Sequence, residues 1–458
     1  MHRGVGGAVG AVVALVLAVL SGCTGANSEG EEGGSGRSGA AAGRGSPEGA
    51  GAASDPASPE SRDSAEGAGS SAGPVSPGGP GSSGTAGGRP PGEPDPGLFG
   101  APPRIPSTEG LPGRAHSLGF ARDGSGFALL ASCVGDPAAP ENGFCRQHVA
   151  VLDAGAGEWV LRRSPLPRVT GTDGVSSQLT ALGPGRALVE EGGAGPRDRT
   201  WFTRDGGRTW RAGDTRTVGT IQGIPAGAVL GTDCAEPAGA LPDDCRRHRL
   251  VVVSPEDGRR RALARVPLLG DRPRPQEQPE PDGSWWVSGT DPRSGRAAVA
   301  VSRDGGRGWT VTRLPGPTAD PGRYTAVAVG RDAVYAAEMG ELRGGEPVKN
   351  PMRALHRSVD GGRTWLRMWT TGPSEQPRTL LGLPVPGPGA RVEIGAEHSG
   401  YRSTDGGRTF ARLADGSHHT RRTPLGLLRE DSPCGYALTE DGARWSTFHL
   451  ACDTRPDD

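Results

Sequence analysis

The residues of this sequence that could do chemistry recur in one short pattern. A carboxylate followed by two glycines stands at four places, in TRDGGRTW (203–210), SRDGGRGW (302–309), SVDGGRTW (358–365) and STDGGRTF (403–410). Carboxylates can transfer protons, but an active site is built once, whereas this unit is written four times. We therefore interpret the repeat as architecture.

The cysteines and histidines are the other candidates. Apart from Cys23, the cysteines form three close pairs, a pattern that predicts local disulfides in an exported protein: Cys133 with Cys145, Cys234 with Cys245, and Cys434 with Cys452. The alternative, a metal site, lacks Cys-x-x-Cys spacing and clustered histidines, since the pair His418-His419 has no third ligand in view. We expect no metal and no cofactor.

The repeat has the composition of a tight turn that enters a strand. The adjacent glycines Gly361 and Gly362 allow positive φ, which tight hairpins require. Asp360 before them can accept hydrogen bonds from the turn's own N–H groups, and Ser358 can assist. Trp365 then begins the returning strand as a bulky residue to bury.

The four stretches resemble the Asp-box, or BNR, repeat, Ser/Thr-x-Asp-x-Gly-x-Thr-Trp/Phe, of sialidases, sortilin-type receptors, xyloglucanases and photosystem II assembly factors. In these β-propellers the box is the hairpin between the third and fourth strands of a blade, opposite the ligand face. The resemblance implies structural roles for the following residues: Asp205, Trp210, Asp304, Trp309, Asp360, Trp365, Asp405 and Phe410.

The spacing of the repeat predicts the number of blades. Weaker copies around Asp153, Asp257 and Asp441 complete a series of seven with a period of about 50 residues. Paired strand-like runs precede each copy. We predict an all-β, seven-bladed β-propeller, with six blades as the alternative, over residues 108–458. After Leu413 only about three strands are visible, so we expect residues 108–120 to help complete the last blade.

The N-terminus has the form of a lipoprotein signal. Arg3 precedes an apolar run that ends in Leu-Ser-Gly-Cys, residues 20–23, and this resembles the bacterial lipobox, in which the cysteine is lipidated. We predict a signal peptide over residues 1–22, a lipid on Cys23, and an exported protein on the outer face of the cell membrane. Residues 23–107, rich in Gly, Ser, Pro and Ala, predict a disordered tether.

A second resemblance concerns catalysis. Sialidases carry an Arg-Ile-Pro stretch and a tyrosine nucleophile paired with a glutamate, and this chain has Arg104-Ile105-Pro106, Arg323-Tyr324 and Glu338. Arg104, however, lies at the end of the predicted tether, and no acid motif or further arginines can be placed. We interpret these residues as the end of the tether and the start of an ordinary strand.

Trp285, Trp286 and Trp369 lie outside the repeat. Adjacent strand residues face opposite ways, so one of the first two could be exposed for binding, although core packing is the simpler interpretation. The basic stretches RRHRL (246–250) and GRRRAL (258–263) are interpreted as solvated loops. With 51 basic and 52 acidic residues, the chain has no charge signature of a nucleic-acid partner.

We therefore expect a lipid-anchored propeller that binds a protein or a glycan at the cell envelope, without catalysis, through the central face of the ring. Two alternatives remain open. One is a glycoside hydrolase of the sialidase type, and the other is an assembly or stability factor for a membrane complex.

The anchor can be tested by replacing the cysteine. Cys23→Ala should release the protein from membranes or block its processing, because no thiol remains to carry the lipid. Membrane fractionation and N-terminal mass analysis check this. A mature form without residues 1–22 that stays in the membrane fraction would remove the lipoprotein interpretation.

Overall fold

The computed structural model describes residues 99–135, 139, 142–170, 174–191, 199–238, 245–318, 324–340, 351–372, 377, 379–397, 399–414 and 419–452. Their strands form seven sheets arranged as the blades of a β-propeller ring. The seven-bladed prediction is confirmed. The predicted signal, Cys23 and most of the predicted tether lie outside the described residues.

Blades 1 and 2 show the regular pattern, in which the chain adds four antiparallel strands from the ring axis outwards. Blade 1 contains β1 (Arg114–Phe120), β2 (Gly126–Val134), β3 (Phe144–Leu152) and β4 (Val160–Arg162), with β5 (Val169–Thr170) paired to β3. Blade 2 contains β6 (Gln178–Gly183), β7 (Arg186–Glu190), β8 (Arg199–Thr203) and β9 (Arg211–Asp214).

Blades 4 to 7 repeat this pattern. Blade 4 contains β14 (Arg274–Pro275), β15 (Trp285–Thr290), β16 (Arg296–Ser302) and β17 (Thr310–Thr318). Blade 5 contains β18 (Tyr324–Val329), β19 (Val334–Met339), β20 (Met352–Ser358) and β21 (Leu366–Thr370). Blade 6 contains β22 (Leu381–Pro386), β23 (Val392–Gly395), β24 (Gly400–Ser403) and β25 (Ala411–Arg412). Blade 7 contains β26 (His419–Thr423), β27 (Gly426–Ser432), β28 (Gly435–Thr439) and β29 (Ser446–His449).

Blade 3 departs from the pattern. It contains β10 (Thr217–Ile221), β11 (Val229–Pro237), β12 (Cys245–Val253) and β13 (Arg260–Leu263). From the axis outwards the order is β11, β12, β13 and β10, and β10 runs parallel to β13. The strand that comes first in the sequence therefore lies at the outer edge of this blade.

The blades are held together by apolar side chains packed between neighbouring sheets. The second strand of a blade is covered on both faces, which explains its continuous apolar sequence; all six residues of β19 are buried. Between blades 4 and 5, Trp286 packs with Val299, Val327 and Trp365. Removing these surfaces from water is the main favourable contribution to the fold.

The four complete repeats form turns between the third and fourth strands of their blades. We call the end of the ring that carries these turns the lower face; the turns are residues 203–210, 302–309, 358–365 and 403–410. In blade 5, the Ser358 hydroxyl donates to Asp360 Oδ1 (2.7 Å) and accepts from Gly362 N–H (2.8 Å). Asp360 also accepts from the N–H and the hydroxyl of Thr364, at 2.9 and 2.6 Å. These bonds lower the pKa of Asp360 to about 2, although burial opposes them.

The glycines of the turn are required by geometry. Gly361 and Gly362 have φ of 72° and 87°, a region that L-residues with side chains rarely adopt. A Cβ on Gly362 would also lie 2.4 Å from Trp286 Cη2. The turn of one blade thus fits directly against the tryptophan of the preceding blade.

The structure contains three disulfides, and they join the predicted pairs Cys133–Cys145, Cys234–Cys245 and Cys434–Cys452. The first two link the strands on either side of a loop, β2 to β3 and β11 to β12. The third connects the two ends of the β28–β29 hairpin.

The ring closes differently from the prediction. Strand β1 belongs to blade 1, and blade 7 takes all four of its strands from residues 419–449. The N-terminal contribution to blade 7 is a short parallel contact, in which Thr108 N–H donates to His449 O (2.9 Å) and Ala451 N–H donates to Thr108 O (3.1 Å). The expectation was wrong because the fourth strand, β29, is only four residues long and carries little sequence signal.

The packed region also begins earlier than residue 108. Phe99 is buried in the cluster between blades 4 and 5, and Ile105 is buried between blades 7 and 1. The Phe99 carbonyl accepts a hydrogen bond from Arg331, and Gly100 N–H donates to Glu440. Isolated apolar residues in a Gly- and Pro-rich segment give no periodicity, so sequence patterning assigned them to the tether.

The turns allow a graded test of stability. Asp360→Ala should lower the free energy of unfolding by about 1–2 kcal/mol, because the turn loses the acceptor of several hydrogen bonds. Asp304→Ala should cost less, because Gly308 replaces the threonine and so supplies no hydroxyl to Asp304. Urea unfolding at neutral pH measures both values. Equal losses would show that the hydroxyl contributes nothing.

Candidate functional site: the central cavity

A cavity of about 720 Å³ lies on the ring axis and extends between blades 2 and 3. This volume is within the range of small-molecule and peptide pockets. Its walls are the axial strands β1, β6, β11 and β26, together with parts of β7, β12, β13, β27 and β28. Besides four serine and threonine hydroxyls, the polar side chains in its lining are those of His116, Gln178, Glu190, Arg260, Glu277, Arg421, Glu430 and Tyr436.

Arg421 is the central cation of this cavity. Its side chain is accessible to water within the cavity but surrounded by the protein, and this burial lowers the pKa of its guanidinium. Nη2 donates to the carbonyl of Leu118 in blade 1. The negative charges of Glu430 and Glu277 favour its charged form.

Tyr436 lies directly opposite Glu430 in the β27–β28 register. Its ring is buried and stacked on Phe448 (5.3 Å between centroids), and its hydroxyl donates to the Ala115 carbonyl at 3.3 Å. Burial, and then the charge of Glu430, raise the pKa of this phenol. Because its hydroxyl already donates to the Ala115 carbonyl, Tyr436 is placed as a hydrogen-bond donor.

Glu277 projects into the cavity from the chain that follows β14. Burial, followed by the charge of Glu190, raises the pKa of its carboxyl group, and Arg421 partly opposes the shift. Within the described part of the chain this carboxylate has no hydrogen-bond or ion-pair partner. Its main-chain oxygen accepts a hydrogen bond from Leu230 N–H at 3.0 Å.

Within the cavity lining, an ion pair joins blade 2 to blade 3. Arg260 Nη2 lies 2.6 Å from Glu190 Oε1, and both side chains are largely buried. His116, on another wall, is accessible to water in the cavity, and the protein that surrounds it lowers its pKa to about 4. The cavity thus carries both signs of charge, and Glu277 is its one carboxylate without a described partner.

The lower end of the cavity is crossed by the β14–β15 loop. Glu280 in this loop is completely buried. Its Oε2 forms an ion pair with Arg422 Nη2 of blade 7 (2.6 Å) and accepts a hydrogen bond from Val329 N–H of blade 5 (3.0 Å). Arg122 of blade 1 donates to the Glu280 carbonyl at 3.5 Å. Burial raises the pKa of Glu280 to about 7, and the attraction of Arg422 opposes this only in part.

The residues that resemble parts of a sialidase site do not meet at this cavity. Arg104 is exposed in the segment before β1, and Tyr324 begins β18, where Arg274 lies 5.6 Å from its ring centroid. Neither lines the cavity. Glu338 is bonded to buried His356 (Oε1 to Nε2, 2.6 Å). Arg323 lies outside the described residues.

The other proposed binding residues are structural where they are described. Trp285, Trp286 and Trp369 are all buried, which confirms core packing and rules out the alternative of an exposed binding tryptophan at 285 or 286. The β15 strand packs against a neighbouring blade on each face. The basic stretches lie mainly in β12 and β13 and are not loops.

His418 lies outside the described residues, and nothing is described of the His419 side chain. Among the described residues, no group of three His, Cys, Asp or Glu side chains is placed to hold a metal ion. The described portion also contains no helix long and apolar enough to cross a membrane.

Sequence reasoning missed the cavity residues. Arg421, Glu430 and Tyr436 belong to short strands with no motif, and Glu277 lies in a Pro- and Glu-rich loop. The available signal was position, because the first strand of each blade lines the axis. Which of its residues point inwards depends on how the blades pack.

The fold places the chain among the β-propellers. No protein-family model matches the sequence, and no curated protein matches it. Similar solved structures include YCF48 bound to a D1 peptide (14% identity, 74% of this chain and 92% of that chain, TM-score 0.25). YCF48 from Cyanidioschyzon merolae is 17% identical (64% and 95%, TM-score 0.29). The GH74 xyloglucanase from Xanthomonas campestris is 14% identical (78% and 83%, TM-score 0.28). These similarities carry no argument on function.

The buried carboxyl group predicts a pH dependence that can be isolated by one substitution. Because the pKa of Glu280 is raised from 4.5 to about 7 in the folded chain, its contribution to stability is complete below pH 4.5 and is lost as the pH rises through 7. Wild type should therefore lose on the order of 2 kcal/mol between pH 5 and 8 relative to Glu280→Gln.

Urea unfolding of both proteins at each pH gives this difference, and contributions from His116 and Glu277 cancel because both proteins contain them. A difference that does not change with pH would show that Glu280 has an ordinary pKa.

Proposed function

We propose that this protein is an exported, lipid-anchored propeller of the Asp-box type that binds a protein or a glycan in its central cavity without catalysis. The observation that carries the proposal is the cavity itself. It offers charges of both signs, uncharged donors and a main-chain edge, while its tyrosine is hydrogen-bonded to a main-chain carbonyl and has a raised pKa.

The Asp-box assignment is supported by the turns. In all four complete repeats, the Ser or Thr hydroxyl donates to the aspartate and accepts from the second glycine N–H. The bonds are local to each turn, and the turns lie on the lower face, so we assign them to stability.

The place where the chain enters the propeller supports a role at the envelope. Phe99 and Gly100 contact Arg331 and Glu440, which belong to turns of the lower face. A tether that extends back from Phe99 to a lipid on Cys23 would therefore attach on the lower face. The opposite end of the ring, where β1, β6 and β26 begin, would be left accessible to a ligand.

A glycoside hydrolase is the second candidate, because two of the three carboxylates of the cavity, Glu277 and Glu430, lie outside the ion pair that holds Glu190. The pKa of Glu277 is raised, as a general acid requires, and Glu430 could act as the base. This chemistry would use two carboxylates and would involve neither Arg104 nor Tyr324. The assembly-factor alternative remains a prediction without a structural argument.

Binding can be tested with the purified full-length protein in detergent on peptide and glycan arrays. Arg421→Ala should weaken binding to the selected ligand about tenfold or more, because the cavity loses its central cation. Arg412→Ala, an exposed arginine on the outer strand β25, is the matched control and should bind as wild type.

Equal binding by both variants would place the ligand outside the cavity and contradict the proposal. Turnover of fluorogenic glycosides that is abolished by Glu277→Gln would instead establish the hydrolase.

A further inference from the structure

Among the described residues, blade 3 has no strand on the axial side of its second strand. The turn at residues 254–259 joins β12 to β13, and Asp257 and Gly258 (φ 71°) stand there as in the other blades. This makes β12 and β13 the counterparts of a third and a fourth strand. The disulfides agree, since β11–β12 and β2–β3 are linked in the same way. Strand β11 is therefore a second strand, and the first strand, β10, has moved to the outer edge.

The axial edge of β11 is consequently unpaired over part of its length. In the described residues β11 pairs only with β12. Leu230 N–H points away from β12, because it donates to the Glu277 carbonyl. Alternation along an antiparallel strand directs the N–H and C=O groups of Thr232 to the same side.

The cavity follows this edge. Four consecutive residues of β11, from Val229 to Thr232, line it. A strand that presented one face would contribute alternate residues, so consecutive lining residues indicate contact along the backbone. The ring wall surrounds the edge, so another folded sheet cannot reach it, whereas a single extended chain can.

The charges beside the edge define the side chain that such a segment should carry. Glu277 lies next to Leu230 and has no described partner for its carboxylate, and Glu190 lies near enough to repel it. A lysine or arginine side chain in the cavity would donate hydrogen bonds to the Glu277 carboxylate. Its positive charge would also reduce the repulsion between Glu277 and Glu190.

We propose that the cavity binds an extended peptide segment of a partner protein, which pairs with the axial edge of β11 and places a lysine or arginine beside Glu277. The inference rests on the proposed function and narrows it to a polypeptide ligand. The peptide would occupy the position of the missing first strand, and its main chain would supply the affinity while Glu277 selects the basic side chain.

The first test uses a synthetic library of ten-residue peptides with Lys, Glu or norleucine at a fixed central position, bound to the full-length protein in detergent. Lysine peptides should be enriched. Glu277→Gln should weaken the selected peptide about tenfold. Glu158→Gln, the same change at an exposed glutamate of the β3–β4 turn, should leave its affinity unchanged.

The second test probes the main-chain pairing. The selected peptide is N-methylated at one residue at a time, and affinity should fall about tenfold or more at alternate residues only, because a paired strand directs every second N–H to its neighbour. Hydrogen exchange at Thr232 should slow in the complex.

The remaining outcomes separate the two proposals. Peptide binding without this alternation, or without protection of Thr232, would overturn the inference but leave a binding function in place. If the protein binds glycans but no peptide, and Arg421→Ala loses glycan binding, the inference is overturned and a binding function again stays in place. Failure of both peptide and glycan probes would contradict the inference and the proposed function together.

Discussion

The fold depends on one constraint. Seven sheets must close into a ring around an axis, and the polar groups that this closure buries must find partners. The Glu280–Arg422 pair lies where this constraint is most severe. It joins blade 4 to blade 7 across the axis, and the same carboxylate accepts from a main-chain N–H of blade 5. Breaking such a buried pair from one side leaves an uncompensated charge. The loop that carries Glu280 is therefore held to blades 5 and 7 at the lower end of the cavity.

The cost of burying this pair is visible in its chemistry. Burial outweighs the attraction of Arg422 in setting the pKa of Glu280, and Glu280 Oε1 has no hydrogen-bond partner. The pair therefore positions the β14–β15 loop against blade 7 more than it stabilises the fold. The apolar clusters between blades supply stability, and the contact of Thr108 with residues 449–451 joins the two ends of the ring.

Local features of the fold could be predicted from the sequence because their causes are local. Asp360 bonds residues within four positions of itself, and Cys133 and Cys145 are twelve positions apart. The burial of Phe99 and the placement of β10 could not be predicted in the same way. Phe99 is buried by contacts with other blades, and the short β10 could pair at either edge of its sheet.

The cavity follows from the same non-local choice. Moving β10 to the outer edge retains a strand pairing, now with β13, and Ile221 and Ile224 pack with Leu263 beside it. The blade therefore keeps four strands and most of its apolar contacts. What changes is the axial edge of β11. In the described part of the chain, the main-chain hydrogen bond found at this edge is the one from Leu230 N–H to the Glu277 carbonyl. Proteins normally protect an unpaired strand edge, because it can pair with other chains and cause aggregation. Here the surrounding blades provide that protection. An edge that would promote aggregation on the outside of a protein can therefore serve as a binding surface within the ring.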